Sequence, residues 1–261
     1  MEEREENDMS EKLYDLTQKW GSGIWQWPAF DDTVVTSTHR HGKQGLRSLN
    51  IYTNMHTGTH IDAPVHFDPR GKDIASVPLD RLYGEGVIVD VSELGEFGIV
   101  TPDLITSKVQ VKKHDIVVYY TGWHKYSWEG DTPDEVTYFG KLPGCHKEWA
   151  KFAVEMDLKW VGFDTPCYEL ALNTYMREFH PDLIPLAEKK MGIDSYDEKY
   201  PRDEYNIVQK MTLPYDSLHV ECIGGEIDIV PKNIRCRIGC FPWKFVRGDA
   251  SISRVVAFVG E

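Results

Sequence analysis

Three histidines and an aspartate crowd into one run, His56-Thr57-Gly58-Thr59-His60-Ile61-Asp62-Ala63-Pro64-Val65-His66-Phe67. The spacing His-x3-His-x-Asp-x3-His is what a small metal site needs. Neutral imidazole and carboxylate are the common protein ligands of zinc, manganese and iron. A lone HxxxH would mean little, but four candidate ligands in one Gly- and Pro-kinked stretch point to a bound ion. The run cannot be a helix. Gly58 and Pro64 interrupt it, and Thr57, Thr59, Ile61 and Val65 are β-branched. As a strand end or tight loop it puts His60 and Asp62, two residues apart, on one face. A turn at Gly58 can swing His56 round to join them.

The elements needed to hold such a ribbon are legible on either side. Gly86-Val87-Ile88-Val89-Asp90-Val91, Asp115-Ile116-Val117-Val118-Tyr119-Tyr120 and Lys159-Trp160-Val161-Gly162-Phe163-Asp164 read as buried strands. Between them lie a helix capped by Thr101 with Pro102 at its first position and a helix within Gly144 to Met156, whose apolar stripe is Trp149, Phe152, Ala153 and Met156. This alternation is a β/α arrangement. Val34 to Thr38 and Ser48 to Asn54 form a hairpin or meander. The last quarter returns to strands at Leu218 to Ile223, Ile227 to Val230, Arg235 to Phe241 and Ser253 to Val259. Trp25, Trp27, Pro28 and Phe30 crowd a loop, where large rings either plug the core or wall a flat ligand. Residues 170–214 are polar and Tyr-rich without clear periodicity, apart from helical turns near Leu172 to Phe179 and Leu183 to Met191. They form an insertion that serves as a lid, an oligomerisation arm or a solvated excursion. Residues 1–10 form a disordered, acidic tail, and 11–261 a single domain.

The 261 residues carry a formal net charge of −13, which disfavours nucleic acid and anionic membranes as partners. With no bilayer-length apolar run and no signal-peptide core, a cytoplasmic enzyme is the expectation. Five cysteines without a C-x-x-C pair argue against a disulfide framework or a zinc knuckle. They read as buried thiols, with a Cys145 nucleophile beside His146 as the minority alternative.

With these features in view, the chain resembles the cyclase family of metal-dependent amide hydrolases, which includes bacterial kynurenine formamidase and isatin hydrolase. The run from His56 to Phe67 matches the family's HxGTHxDxPxHF signature at every fixed position. Thr121-Gly122-Trp123, Leu142-Pro143-Gly144, Gly162-Phe163-Asp164-Thr165-Pro166 and the Trp27-Pro28 pair support the match. The resemblance implies an α/β, swivelling β/β/α single domain with a mixed sheet and peripheral helices. It implies that His56, His60 and Asp62 bind a divalent metal, Mn2+ or Zn2+, with Asp62 able to bridge to a second ion. His219 is the best match to the family's second-site histidine, and either Glu221 or Glu226 to its glutamate. His66 is implied to be the general acid/base, and Trp27, with Trp123, to stack on a planar ring. The implied reaction is hydrolysis of an aryl amide, formamide or cyclic amide by hydroxide generated at the ion. Alternatives are a metal-dependent lyase, dehydratase or cyclase acting on a small carbonyl compound, and a non-catalytic binding protein. The expected partner is a small planar or aromatic substrate, in a homodimer or homotetramer.

Overall fold

The computed structural model describes residues 11–260, so the acidic tail expected at 1–10 lies outside the described residues. Among the described residues there are ten strands: β1 Glu11–Asp15, β2 Val34–His39, β3 Ser48–Tyr52, β4 His60–Asp62, β5 Tyr83–Asp90, β6 Ile116–Tyr120, β7 Trp160–Phe163, β8 Leu218–Glu221, β9 Ile234–Pro242 and β10 Ala250–Gly260. The expected crossover unit is there. β5, β6 and β7 run parallel, joined through the helices Pro102–Lys108 and Lys147–Glu155. Thr101 caps the first helix by accepting the Leu104 N–H.

The sheet closes on itself. Its order is β1-β10-β4-β8-β7-β6-β5-β9, and β9 pairs with β10 as well as with β5. Seven strands therefore form a mixed barrel, with β1 added on the outside of β10. Alternation along the strands sorts side chains into two layers. Ile61, Ile88, Ile116, Val118, Trp160, Val220, Ile238 and Val255 point inward and fill the barrel. Val87, Val89, Val117, Tyr119, Val161 and Phe163 point outward, against Trp149, Ala150 and Ala153 of the second crossover helix. A third apolar cluster, with Trp123, Phe139, Leu172 and Tyr196, lies beneath residues 170–214. That segment holds the helices Met176–Phe179, Ile184–Met191 and Ile207–Thr212. Its Arg177 is wholly buried between the rings of Tyr196 and Tyr205.

One expected strand is absent. The run expected at Ile227 to Val230 begins inside a 3-10 turn, Gly225–Asp228, and continues through its C-cap Ile229. Gly225 has φ +58, and a Cβ there would lie 2.3 Å from the Asp15 carbonyl, so this tight turn needs glycine. The Glu226 carboxylate accepts the Asp15 N–H and pins the turn to β1. No helix among the described residues is long and apolar enough to cross a membrane.

Candidate active site

Because Ile61 points into the barrel, its neighbours His60 and Asp62 must point out. β8 lies antiparallel to β4 with Asp62 opposite His219 and His60 opposite Glu221. Leu218 and Val220 fill the barrel, so His219 and Glu221 also face outward. Two short strands thus present four polar side chains on one patch. His56 comes from the preceding loop. Gly58 has φ +60, and a Cβ there would meet Ile24 Cδ1 at 2.8 Å, so glycine permits both the turn and the close packing. The threonines between the histidines anchor the ribbon. Thr59 Oγ1 donates to the Cys222 carbonyl at 2.6 Å, and Thr57 Oγ1 lies 2.6 Å from Gln26 Oε1.

The resulting contacts are short. His56 Nδ1 is 2.8 Å and His60 Nε2 3.4 Å from Asp62 Oδ1, and His60 Nε2 is 3.5 Å from Glu221 Oε2. Among the described residues three groups of potential ligand atoms result: His56–His60–Asp62 and Asp62–His219–Glu221, which share Asp62, and His56–His66–Asp249.

Hydrogen bonds behind the site fix which nitrogens face it. His60 Nδ1 lies 2.7 Å from the Gly58 carbonyl, which can only accept, so Nδ1 carries the proton and Nε2 presents its lone pair. Thr212 Oγ1 donates to the Val208 carbonyl at 2.8 Å, so it accepts from His219 Nε2 at 2.6 Å. His219 Nδ1 is then the bare nitrogen. Burial pushes His219 down to about 3, which keeps the imidazole neutral. His60 Nε2, His219 Nδ1 and Glu221 Oε1 are buried without a hydrogen-bond partner, and Asp62 Oδ1 meets the His56 and His60 nitrogens. Orphaned polar atoms are costly in a protein interior, and imidazole nitrogens and carboxylate oxygens gathered on either side of Asp62 suit a cation. Burial opposes charge on His56, but Asp62 and Asp249 outweigh it and lift its pKa to about 10. Burial, reinforced by Asp62, raises Glu221 well above the carboxylate range.

His66 ends the 3-10 turn Pro64–His66, with its ring 4.2 Å from that of His56. Its Nδ1 is 3.7 Å from Asp249 Oδ2, which also contacts His56 Nε2 at 3.1 Å. The site opens into a cavity of about 350 Å³ walled by Trp25, Trp27, Phe30, Phe67 and Trp128.

The structure therefore brings together His56, His60, Asp62, His66 and His219, with Trp27 in the cavity wall. Of the two candidate glutamates, Glu221 is at the site and Glu226 is held by Asp15. Trp123 is not brought to the cavity. Gly122, at φ +70, turns the chain into a 3-10 helix, and the buried Trp123 indole donates to the Tyr138 carbonyl behind the wall. Cys145 is wholly buried against Tyr119, and burial raises its thiol well above the usual range. Cys145 does not line the cavity, so the Cys145 nucleophile has no access to it.

Sequence reasoning missed Asp249, Gln209, Thr212 and Glu169. Gln209 Nε2 lies 3.4 Å from Asp62 Oδ2. Glu169 is wholly buried, and its Oε1 accepts the Val208 and Gln209 N–H groups at 2.7 and 3.0 Å, holding the helix that carries Gln209 and Thr212. Burial, opposed by these donors, pushes Glu169 up to about 8. A carboxyl raised from 4.5 contributes fully below that pH, and its contribution is lost as pH climbs to about 8. Glu169→Gln is therefore expected to remove a decline in stability across that window, a slope of up to ~1.4 kcal/mol per pH unit. Urea unfolding at several pH values measures it, and identical slopes in both proteins would refute it.

The geometry can be set beside known proteins. Residues 14–169 match the family described as "Putative cyclase". The chain belongs to that family. The match ends before β8, so the placement of His219 and Glu221 rests on the β4–β8 register. This cyclase-family chain is 28% identical to the kynurenine formamidase of Bacillus anthracis over 158 residues, 59% of this chain and 69% of that one. It is 36% identical to that of Bacillus cereus over 156 residues, covering 58% and 68%. The fold is shared with an isatin hydrolase bound to the product analogue thioisatinate, at TM-score 0.75 and 16% identity over 96% of this chain and 93% of that one. It is also shared with isatin hydrolase A from Labrenzia aggregata bound to benzyl benzoate, at TM-score 0.72 and 21% identity over 96% and 94%. The formamidase relatives support a hydrolase of the cyclase family.

Proposed function

We propose that the chain hydrolyses a non-peptide C–N bond of an aryl amide, formamide or cyclic amide, using a divalent ion held by His56, His60 and Asp62. The observation that carries this reading is the pair of buried ligand groups that share Asp62, with His56, His60, Asp62 and Glu221 lining an aromatic cavity beside the His66 imidazole. His219 and Glu221, with Asp62 shared, would hold a second ion. A divalent ion in such a ligand set supplies a Lewis acid that acidifies water and polarises a carbonyl.

The remaining work falls to this chain's own residues. His66 takes the proton of the attacking water and returns it to the departing nitrogen, a task for which an imidazole has both a donor and an acceptor nitrogen. Asp249, facing His66 Nδ1, orients that ring and the neighbouring His56. Trp27 and Phe30 hold a planar ring and exclude bulk water. Thr212 positions His219 by fixing its proton on Nε2.

Purified protein stripped with a chelator should lose turnover of isatin, N-formylkynurenine and simple aryl formamides, and regain it with Mn2+ or Zn2+. Failure of every amide in that panel under both metals would overturn the reading. Thr212→Val removes the acceptor for His219 Nε2–H and is expected to weaken binding of the second ion about 10- to 100-fold. Metal titration checks this, and wild-type affinity in the variant would free Thr212 of any positioning role.

A further inference from the structure

The helix Ile207–Thr212 gives the cavity one polar edge. Asn206, Gln209 and Lys210 stand at i, i+3 and i+4, which places them on one face, and all three line the cavity. The opposite face is committed to the interior through Val208 and Thr212. Gln209 is already engaged with Asp62. Asn206 sits in the left-handed region at φ 54, and its side chain makes no capping bond to the helix it begins. Lys210 is exposed, and it is the one lysine or arginine among the cavity's described lining residues. The carboxylates lining the cavity are Asp62 and Glu221, both in the ligand cluster on its floor. Among the described residues Lys210 forms no ion pair, in a chain whose formal net charge is −13.

The cavity thus has chemistry at two ends, the ligand cluster on the floor and an ammonium with a free amide on one edge, separated by indole and phenyl walls. The offset between them is fixed, because Glu169 binds the first turn of this helix and Gln209 ties it to Asp62. We propose that Lys210 and Asn206 form an anion subsite, selecting aromatic amides that carry a carboxylate away from the bond to be cleaved. This rests on the hydrolase reading and adds the class of substrate to it. Lys210 does not reach the reacting bond. It binds ground state and transition state alike, so its effect belongs in KM.

The test compares formanilide with 3- and 4-formamidobenzoate on the Mn2+-loaded full-length protein, in wild type, Lys210→Met and Lys210→Glu. The wild type is expected to favour the better carboxylated substrate about tenfold in kcat/KM, through KM. That preference should vanish in Lys210→Met, reverse in Lys210→Glu, and shrink in half-molar salt as the charges are screened. Equal use of neutral and carboxylated substrates by the wild type, or a preference that survives Lys210→Met, would overturn the subsite while leaving the hydrolase intact. If none of the three formamides is cleaved, benzoate binding by calorimetry decides the subsite, and the hydrolase reading is decided separately by the isatin and N-formylkynurenine assays under both metals. Binding to wild type that is lost in Lys210→Met supports it, and binding to neither or to both overturns it.

Discussion

Asp62→Asn is expected to yield a folded protein that retains no Mn2+ or Zn2+ after dialysis and loses at least ~10³-fold in kcat/KM. Asp62 is the one residue shared by the groups His56–His60–Asp62 and Asp62–His219–Glu221. The metal's Lewis-acid contribution is worth several kcal/mol, and each 1.36 kcal/mol is a factor of ten in rate. Folding should survive for a specific reason. Removing one partner of a buried ion pair costs ~3–5 kcal/mol when the other charge is stranded. Here the remaining partner is His56, whose raised pKa comes chiefly from Asp62 and then Asp249. Without Asp62 that imidazole can shed its proton instead of staying buried as an uncompensated cation. The decisive readout is ligand-induced stabilisation. Saturating metal at a hundred times Kd adds ~2.7 kcal/mol to a protein that binds it only when folded. Wild type should show that gain in thermal unfolding and Asp62→Asn should not. A variant that still binds metal with wild-type affinity would remove Asp62 from the ligand set.

That Asp62 belongs with His60 could be read from the sequence, because both sit in one short extended stretch and alternate with a barrel-facing Ile61. The glycine that swings His56 inward was legible for a similar reason, since only a local turn was required. The partners from β8 were harder. Choosing Glu221 over Glu226 depends on which residue of β8 lies opposite His60, and register between strands so far apart is set by barrel closure, not by local pattern. The closure itself was hidden, because β9 must pair with both β5 and β10, and nothing in an alternating strand says that both its edges are used. Thr212, Gln209 and Lys210 sit on a six-residue helix inside a polar stretch. A helix that short has little periodicity of its own, and it is held in place from outside by Glu169. The placement of Trp123 follows from a left-handed glycine directly before it. Thr-Gly-Trp at a strand end is compatible with an indole on either side of the cavity wall.

His66→Ala should separate metal binding from chemistry. The variant is expected to keep its metal and to lose ~10²- to 10⁴-fold in kcat, the usual worth of a positioned acid/base group. The position of His66 makes this a clean experiment. It follows Pro64 in a 3-10 turn on the surface side of the ribbon, and its ring stands edge-on to Phe67 at 4.6 Å. Truncation leaves Ile61 and Ala63, the barrel-side residues of the segment, untouched. The risk lies in a third arrangement of ligand atoms, because His56, His66 and Asp249 also converge closely enough to grip an ion. Asp249 is about half exposed and His66 partly so, whereas the two groups built on Asp62 are largely buried. A cation gains more by replacing lost hydration in the buried groups, where water is excluded, than at a rim where water competes. The outcomes therefore discriminate. Loss of kcat with metal content retained, and partial recovery on adding free imidazole to fill the vacated space, identifies His66 as the proton carrier. Loss of metal together with activity would make His66 a ligand and leave the proton transfer to another group at the rim, for which Asp249 is the nearest carboxylate.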